Sequence, residues 1–415
     1  TVNVATVGNA ASGTTNGSFG MTGTGAVFAM SGGTINLVQA STGGTPIDWN
    51  VATANFTCPG GILNTGTGAT ATNFNFRIRG NMPNLSVDNT TNNKTATAVA
   101  QLNLNGTTII NPGATMVING QVCLVLGTSF TNNGTLTGTA VNTRFYFLGV
   151  CVASTYSGSG VVTAPLTSFE VDNPLGVTIA PSTSNQIIVT RFNNFAGGLT
   201  GSSKMTIGNG GATLGVVQLG VTGVTSVVNG FDVAPVFNPG TAGINLLYAP
   251  ELTGRTTGVE VPPSRMLNVL SITNTNDITI SGGDITIGGT GATNSFSMST
   301  GNVITGTNTI ILGTSTTQLG TFGYPAGGGI IIGNFKRWYD ATASSKDFPV
   351  GIAGAKRAVT INYTSAPTTG GTLLTRWVSV PEGTNGLPLT EGAINVSGTS
   401  ANGYWSVVPG DGLAG

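Results

Sequence analysis

The sequence lacks histidine, has few charged residues and contains only three cysteines among its 415 residues. Histidine is the commonest proton carrier near neutral pH and the commonest metal ligand, so its absence excludes Ser-His-Asp triads and histidine-based zinc sites. Basic and acidic residues number 14 each, which gives no net charge. The chain therefore lacks the excess of lysine and arginine that neutralises phosphates, and we expect no nucleic-acid partner.

The chain also lacks long apolar runs. Hydrophobic residues make up 39% of it, enough for a core, but glycine, threonine and asparagine interrupt them every few residues. We therefore expect a folded chain with no membrane span. The chain starts at Thr1 without a methionine or a basic signal region, and we expect a processed form or a piece of a longer protein.

Short runs of β-forming residues, separated by turn residues, fill most of the sequence. Val122-Cys-Leu-Val-Leu126 is one such run, and Asn105-Gly106, Asn119-Gly120 and Asn133-Gly134 are typical turns. The 65 glycines disfavour helix interiors, and no amphipathic helical pattern of useful length is present. These patterns predict an all-β fold.

Internal repeats indicate which all-β architecture is present. Asp277-Ile-Thr-Ile-Ser-Gly-Gly is followed at once by Asp284-Ile-Thr-Ile-Gly-Gly, and residues 205–213 resemble residues 285–293. Degenerate repeats of this kind favour a β-solenoid, or β-helix, over a stack of β-sandwich modules. We predict two solenoid-like repeat regions, 1–165 and 166–345, followed by a small antiparallel β-sandwich-like module over 346–415, where charges and tryptophans return.

The last part of the chain resembles a known kind of surface protein. Asp347-Phe-Pro-Val-Gly351, Gly370-Gly-Thr-Leu-Leu and Gly403-Tyr-Trp-Ser-Val are similar to a β module that is common in large secreted surface proteins of Bacteroidota. Phe169-Glu-Val-Asp-Asn-Pro-Leu-Gly resembles the repeat that precedes this module. The resemblance implies export by the type IX secretion route and an adhesive, stalk-like or coat function at the cell surface.

Few residues have the pattern of a chemical site. Glu170 and Asp172 alternate on a predicted strand, so both project from one face, as a pair of glycosidase carboxylates would, although Asp172-Asn-Pro is also typical of a turn. Asp277 and Asp284 begin equivalent repeats and are candidate Ca²⁺ ligands, although they also suit a turn or strand start. No other cofactor is expected.

The cysteines fit no zinc or redox motif. Cys123 and Cys151 are candidates for a disulfide between neighbouring turns, or all three cysteines are small buried apolar residues.

These patterns together predict a non-enzymatic, extracellular structural or adhesive protein that forms a rigid β rod on the cell surface. We also expect self-assembly into a filament, sheath or surface layer. Its expected partners are further copies of itself, neighbouring surface proteins and glycans. Two other hypotheses remain open. One is a carbohydrate-active β-helix enzyme that uses Glu170 or Asp172 beside an arginine such as Arg191, and the other is a phage or viral fibre protein.

Overall fold

The computed structural model describes residues 1–4, 19–40, 47–70, 74–88, 94–138, 140–149, 152–163, 165–223, 227–288, 294–383 and 386–414. About 52% of the chain is β-strand, and the one helical element in these ranges is the 3-10 turn Ser202–Lys204. The fold is a parallel β-solenoid of about 12 turns in total, as the sequence predicts. The chain divides into two compact units, Thr1–Gly240 and Thr241–Gly415. The predicted boundaries at 165 and 345 stay predictions.

The described residues of the first unit form 25 strands: β1 (Val2–Val4), β2 (Phe19–Met21), β3 (Val27–Ala29), β4 (Thr34–Leu37), β5 (Trp49–Val51), β6 (Asn55–Thr57), β7 (Ile62–Thr65), β8 (Asn75–Met82), β9 (Asn84–Val87), β10 (Thr95–Leu104), β11 (Thr108–Ile110), β12 (Thr115–Val117), β13 (Val122–Val125), β14 (Ser129–Asn132), β15 (Thr135–Thr137), β16 (Arg144–Leu148), β17 (Ser154–Ser157), β18 (Val161–Val162), β19 (Leu166–Asp172), β20 (Val177–Ile179), β21 (Ile187–Thr200), β22 (Met205–Ile207), β23 (Gly215–Leu219), β24 (Val228–Phe231) and β25 (Val236–Phe237).

The middle of this unit has three faces, and each face is a sheet of parallel strands. Face 1 contains β12, β15 and β18, face 2 contains β13, β16 and β19, and face 3 contains β14, β17 and β20. Each strand pairs with the strand one turn further along the chain. Register partners lie 20 to 26 residues apart, as Thr115 with Thr135 and Thr135 with Val161 illustrate.

The core of this unit is built from rows of inward-facing side chains. One row crosses six strands in register and consists of Leu102, Cys123, Phe145, Phe169, Phe192 and Val217. Every one of these side chains is completely buried. Because side chains alternate along a strand, the residues between them point outward, where the polar residues of each turn are found.

Some glycines allow successive turns to approach closely. Gly158 has a φ of +113°, and a Cβ at this position would lie 2.0 Å from the carbonyl oxygen of Asn132 on the preceding turn. Any other residue would push the two turns apart.

Within the described part of the second unit there are 18 strands: β26 (Ile244–Tyr248), β27 (Arg255–Thr256), β28 (Met266–Leu267), β29 (Val269–Ile272), β30 (Ile278–Thr279), β31 (Ile285–Ile287), β32 (Ser295–Met298), β33 (Val303–Leu312), β34 (Thr321–Gly323), β35 (Ile331–Tyr339), β36 (Ser345–Phe348), β37 (Gly351–Ile352), β38 (Ala355–Lys356), β39 (Val359–Asn362), β40 (Gly371–Val378), β41 (Leu389–Glu391), β42 (Ile394–Val396) and β43 (Tyr404–Gly410).

Strand β35 marks the change from parallel to antiparallel pairing in this unit. It pairs in parallel with β33 on one side and antiparallel with β40 on the other, and β40 then pairs antiparallel with β43. The segment that follows β35 has the buried side chains Phe348 and Val350, and its Pro349 carbonyl accepts a hydrogen bond from the Ile331 N–H at 2.8 Å. The all-β solenoid followed by an antiparallel module is therefore confirmed.

Candidate functional site

The predicted carboxylates Glu170 and Asp172 lie on the outer surface of face 2. They alternate along β19 with the buried side chains of Phe169 and Val171. The neighbouring strand of face 2 on the preceding turn is β16, and it places Tyr146 in register with Glu170. A polar cluster results on the outward-facing side of the strands, and its members cover one another from solvent. We call it the face 2 cluster, and it consists of Arg144, Tyr146, Ser168, Glu170, Asp172 and Asn193.

Glu170 is held by donors from its own turn and from both neighbouring turns. Arg144 of the preceding turn donates from Nε to both carboxylate oxygens at 2.9 Å and from a terminal nitrogen to Oε2. Ser168 Oγ donates to Oε1 at 2.7 Å, and Asn193 Nδ2 of the following turn donates to the same oxygen at 3.2 Å. Only 3% of the Glu170 side chain is exposed. The carboxylate thus connects three successive turns and has both oxygens engaged.

Asp172 has a different partner. Its Oδ2 accepts a hydrogen bond from Tyr146 Oη at 2.6 Å. Burial, together with this hydrogen bond, raises the pKa of Tyr146 well above its usual value. The Tyr146 ring also contacts the Arg144 guanidinium, at 4.9 Å from its centroid, and the edge of Phe195, at 6.1 Å between ring centroids.

The arginine expected beside these carboxylates is not the one that binds Glu170. Arg191 lies in register with Ser168, but its Nη1 contacts Gln218 Oε1 at 3.5 Å, whereas Arg144 pairs with Glu170. The hydrogen bonds that Arg144 donates to Glu170 raise the pKa of Arg144. Sequence reasoning missed Arg144. The available signal was the i,i+2 spacing of Arg144 and Tyr146, which matches that of Glu170 and Asp172 one turn later.

Asp277 and Asp284 occupy equivalent positions, each just before a strand. Asp277 Oδ1 accepts a hydrogen bond from Asn302 Nδ2 at 2.9 Å, and Asp284 Oδ1 accepts one from the Thr309 N–H at 2.8 Å. Both carboxylates therefore bond to the next turn. Within the described ranges no group of three or more Asp, Glu or Cys side chains is arranged to hold a metal ion, and Ca²⁺ binding stays a prediction.

Cys123 lies in β13 with its side chain completely buried in the core row, and it forms no disulfide with Cys58, the other cysteine that the structure describes. Burial raises the pKa of this thiol, which makes it unreactive. Cys151 lies outside the described residues, and the predicted Cys123–Cys151 pairing stays a prediction.

A second charged cluster, which sequence reasoning missed, lies in the second unit. Arg255 donates from Nε and Nη2 to the two oxygens of Glu251 at 3.0 and 2.7 Å, and Tyr248 Oη donates to Glu260 Oε1 at 2.7 Å. Glu251 and Glu260 are both buried, and burial next to Glu260 raises the pKa of Tyr248 far above its usual value. The i,i+4 spacing of Glu251 and Arg255 predicts a contact only on a helix, and these residues lie outside any helix, so sequence reasoning could not find the pair. The loop after β26 is thus fixed by paired charges.

The fold defines this chain as a β-helix repeat protein. No family model, curated protein or solved structure matches the chain. In the part of the chain that the structure describes, no helix is long and apolar enough to cross a membrane.

Proposed function

We propose that this chain is a non-enzymatic structural or adhesive protein of the cell exterior, in which rigid solenoid turns present or connect other modules. The observation that carries the proposal is the use of polar side chains for bonds between successive turns. Glu170, the foremost catalytic candidate, uses both carboxylate oxygens in this way. A carboxylate engaged by four donor groups is poorly placed to act as a nucleophile or a proton donor.

Asparagine side chains form a ladder along the first unit. Asn3, Asn36 and Asn64 are register partners on three successive turns. Asn36 Nδ2 donates to Asn3 Oδ1 at 2.8 Å, and Asn64 Nδ2 donates to Asn36 Oδ1 at 2.9 Å. Each amide thus bonds to the next, as in the stacked polar ladders of other parallel β structures.

Similar pairs occur elsewhere. Asn103 Nδ2 donates to Asn81 Oδ1 at 3.0 Å, and Ser297 Oγ donates to Ser271 Oγ at 3.0 Å. The abundance of asparagine, serine and threonine thus has a mechanical reason, because uncharged groups can stack every turn without the repulsion that like charges would cause. A mechanical role at the cell surface agrees with this bonding between turns and with the resemblance of the tail to secreted Bacteroidota proteins.

Self-association belongs to the same proposal. The chain has no net charge, so copies do not repel one another, and its partners are further copies, neighbouring surface proteins or glycans. Negative-stain microscopy at high protein concentration is expected to show filaments or layers, and uniformly dispersed monomers would contradict self-assembly.

The main alternative is a polysaccharide-cleaving β-helix enzyme, and one assay separates the two functions. The purified chain is incubated with a panel of neutral and acidic polysaccharides, and the release of reducing ends is measured. We expect no release above the protein-free blank. Release that is lost in both Glu170→Gln and Asp172→Asn would contradict the proposal and support the enzyme.

A further inference from the structure

A groove of about 230 Å³ opens on face 3 of the first unit, where β20, the end of β21 and β24 run side by side. Three of its lining residues are glycines, so main chain forms part of its surface. Leu175, 59% exposed, forms one wall. The exposed side chains of Thr200, Asn229 and Asp232 provide its polar groups. None of these residues belongs to the face 2 cluster.

The Asp232 carboxylate is fixed in orientation by its neighbours. Its Oδ1 accepts hydrogen bonds from Ser202 Oγ at 2.6 Å, from the Ser202 N–H at 3.1 Å and from the Val233 N–H at 2.9 Å. Its Oδ2 accepts one, from the Gly201 N–H at 2.9 Å. Burial would raise the pKa of Asp232, but these hydrogen bonds outweigh it and hold the pKa below its usual value. Oδ2 thus has a free lone pair in a charged, preorganised carboxylate.

The lining chemistry selects among ligand classes. None of the described residues that line the groove is basic, so an anionic ligand would meet the Asp232 charge without compensation. A purely apolar ligand would cover the remaining lone pair of Asp232 Oδ2 and the polar groups of Thr200 and Asn229 without bonding to them, which costs binding energy. A sugar ring offers hydroxyl donors for Asp232, donors and acceptors for Asn229 and Thr200, and an apolar C–H surface for Leu175.

We propose that this groove binds one unit of a neutral glycan. The groove is smaller than the ~300–1,000 Å³ of pockets for drug-sized ligands, and it is open, so a single ring can enter while the rest of the glycan continues beyond it. The inference rests on the proposed adhesive function, because it specifies the class of molecule to which the solenoid would adhere.

Calorimetric titration of the full chain with neutral and acidic oligosaccharides tests the proposal. The probes are cellohexaose, mannohexaose and maltohexaose, with hexagalacturonate as the acidic counterpart. We expect at least one neutral probe to bind and hexagalacturonate to bind about 10-fold more weakly or not at all. Thr200→Val replaces a hydroxyl with a methyl of the same shape at an exposed site, and Asn229→Ala removes the amide. Each should weaken binding about 3- to 10-fold, the range expected for one lost hydrogen bond.

Thr178→Val is the matched control, because Thr178 is the register partner of Thr200 on the preceding turn and does not line the groove. It should leave the affinity unchanged. The proposal is overturned if no neutral probe binds, if Thr178→Val weakens binding as much as Thr200→Val does, or if a Gly-Ser hexapeptide competes as strongly as the sugar. Failure here leaves the non-enzymatic function standing, because that function is tested separately by the release of reducing ends.

Discussion

Removal of the Glu170 carboxylate should destabilise the first unit substantially. Glu170→Ala deletes the bonds to Arg144, Ser168 and Asn193 and leaves the buried amide of Asn193 without its carboxylate acceptor. Hydrogen bonds to a charged group contribute about 1.5–3 kcal/mol each. The Arg144 side chain is 41% exposed, so solvent screens its share strongly. We therefore expect a loss of about 2–4 kcal/mol in the free energy of unfolding, and a loss of about 1–2 kcal/mol for Glu170→Gln, which keeps the volume.

Equilibrium urea denaturation measures these losses, and hydrogen exchange of peptides from β16 and β19 locates them. Glu382→Gln is the control, because Glu382 is an exposed glutamate of the second unit and its loss should change the free energy of unfolding by less than about 0.5 kcal/mol. The reasoning is refuted if Glu170→Ala behaves like this control, or if exchange in β16 is unchanged.

Three further predictions concern the core, the asparagine ladder and acid stability. Phe145→Ala, in the core row, should lower the free energy of unfolding by about 3–5 kcal/mol. Phe195 is only half-buried, so Phe195→Ala should lower it by clearly less. Equal losses of the two variants in thermal denaturation would contradict the assignment of Phe145 to the core. Asn36→Ala breaks two ladder bonds and should cost about 1–2 kcal/mol in urea denaturation, whereas no loss would show that the ladder does not stabilise the turns. The pKa of Asp232 is lowered in the folded state, so its stabilising contribution is complete above the usual value of 3.8 and is lost as the pH falls through the lowered pKa. Asp232→Asn should therefore weaken the dependence of unfolding on pH below about 4, and an unchanged acid profile would contradict this.

The strand content could be predicted from sequence, but the length of a turn could not. The core row shows the reason: Leu102, Cys123, Phe145, Phe192 and Val217 occupy equivalent positions on different turns. Any apolar side chain of suitable volume fills such a position, so no motif repeats with the period of the turns.

The visible repeat has a different origin. Ile278 and Ile285 are the second residues of the two repeat copies, and both pair with the same long strand, β33, at Val303 and Ile310. The two copies therefore lie within one turn rather than on successive turns. The repeat correctly indicated a solenoid. Its seven-residue spacing is the distance between two neighbouring strands of the same turn, not the length of a turn.

The candidate site was predicted only in part for a related reason. The i,i+2 alternation of Glu170 and Asp172 places both on the outer face, and the structure agrees. Their partners, Arg144 and Tyr146, depend on the register between turns, which local sequence does not specify. The Asp232 groove likewise depends on three turns meeting, so no single segment indicates it.

The central claim is that side-chain bonds join each turn to its neighbours and resist mechanical force. Single-molecule force spectroscopy on the full chain tests this claim most directly. Register partners such as Val122, Arg144 and Ser168 define turns of 22 and 24 residues, each of which extends to ~80 Å at ~3.3–3.6 Å per residue. The account predicts a series of unfolding steps of about this length. A single large step at low force, as for one cooperative globular domain, would contradict it.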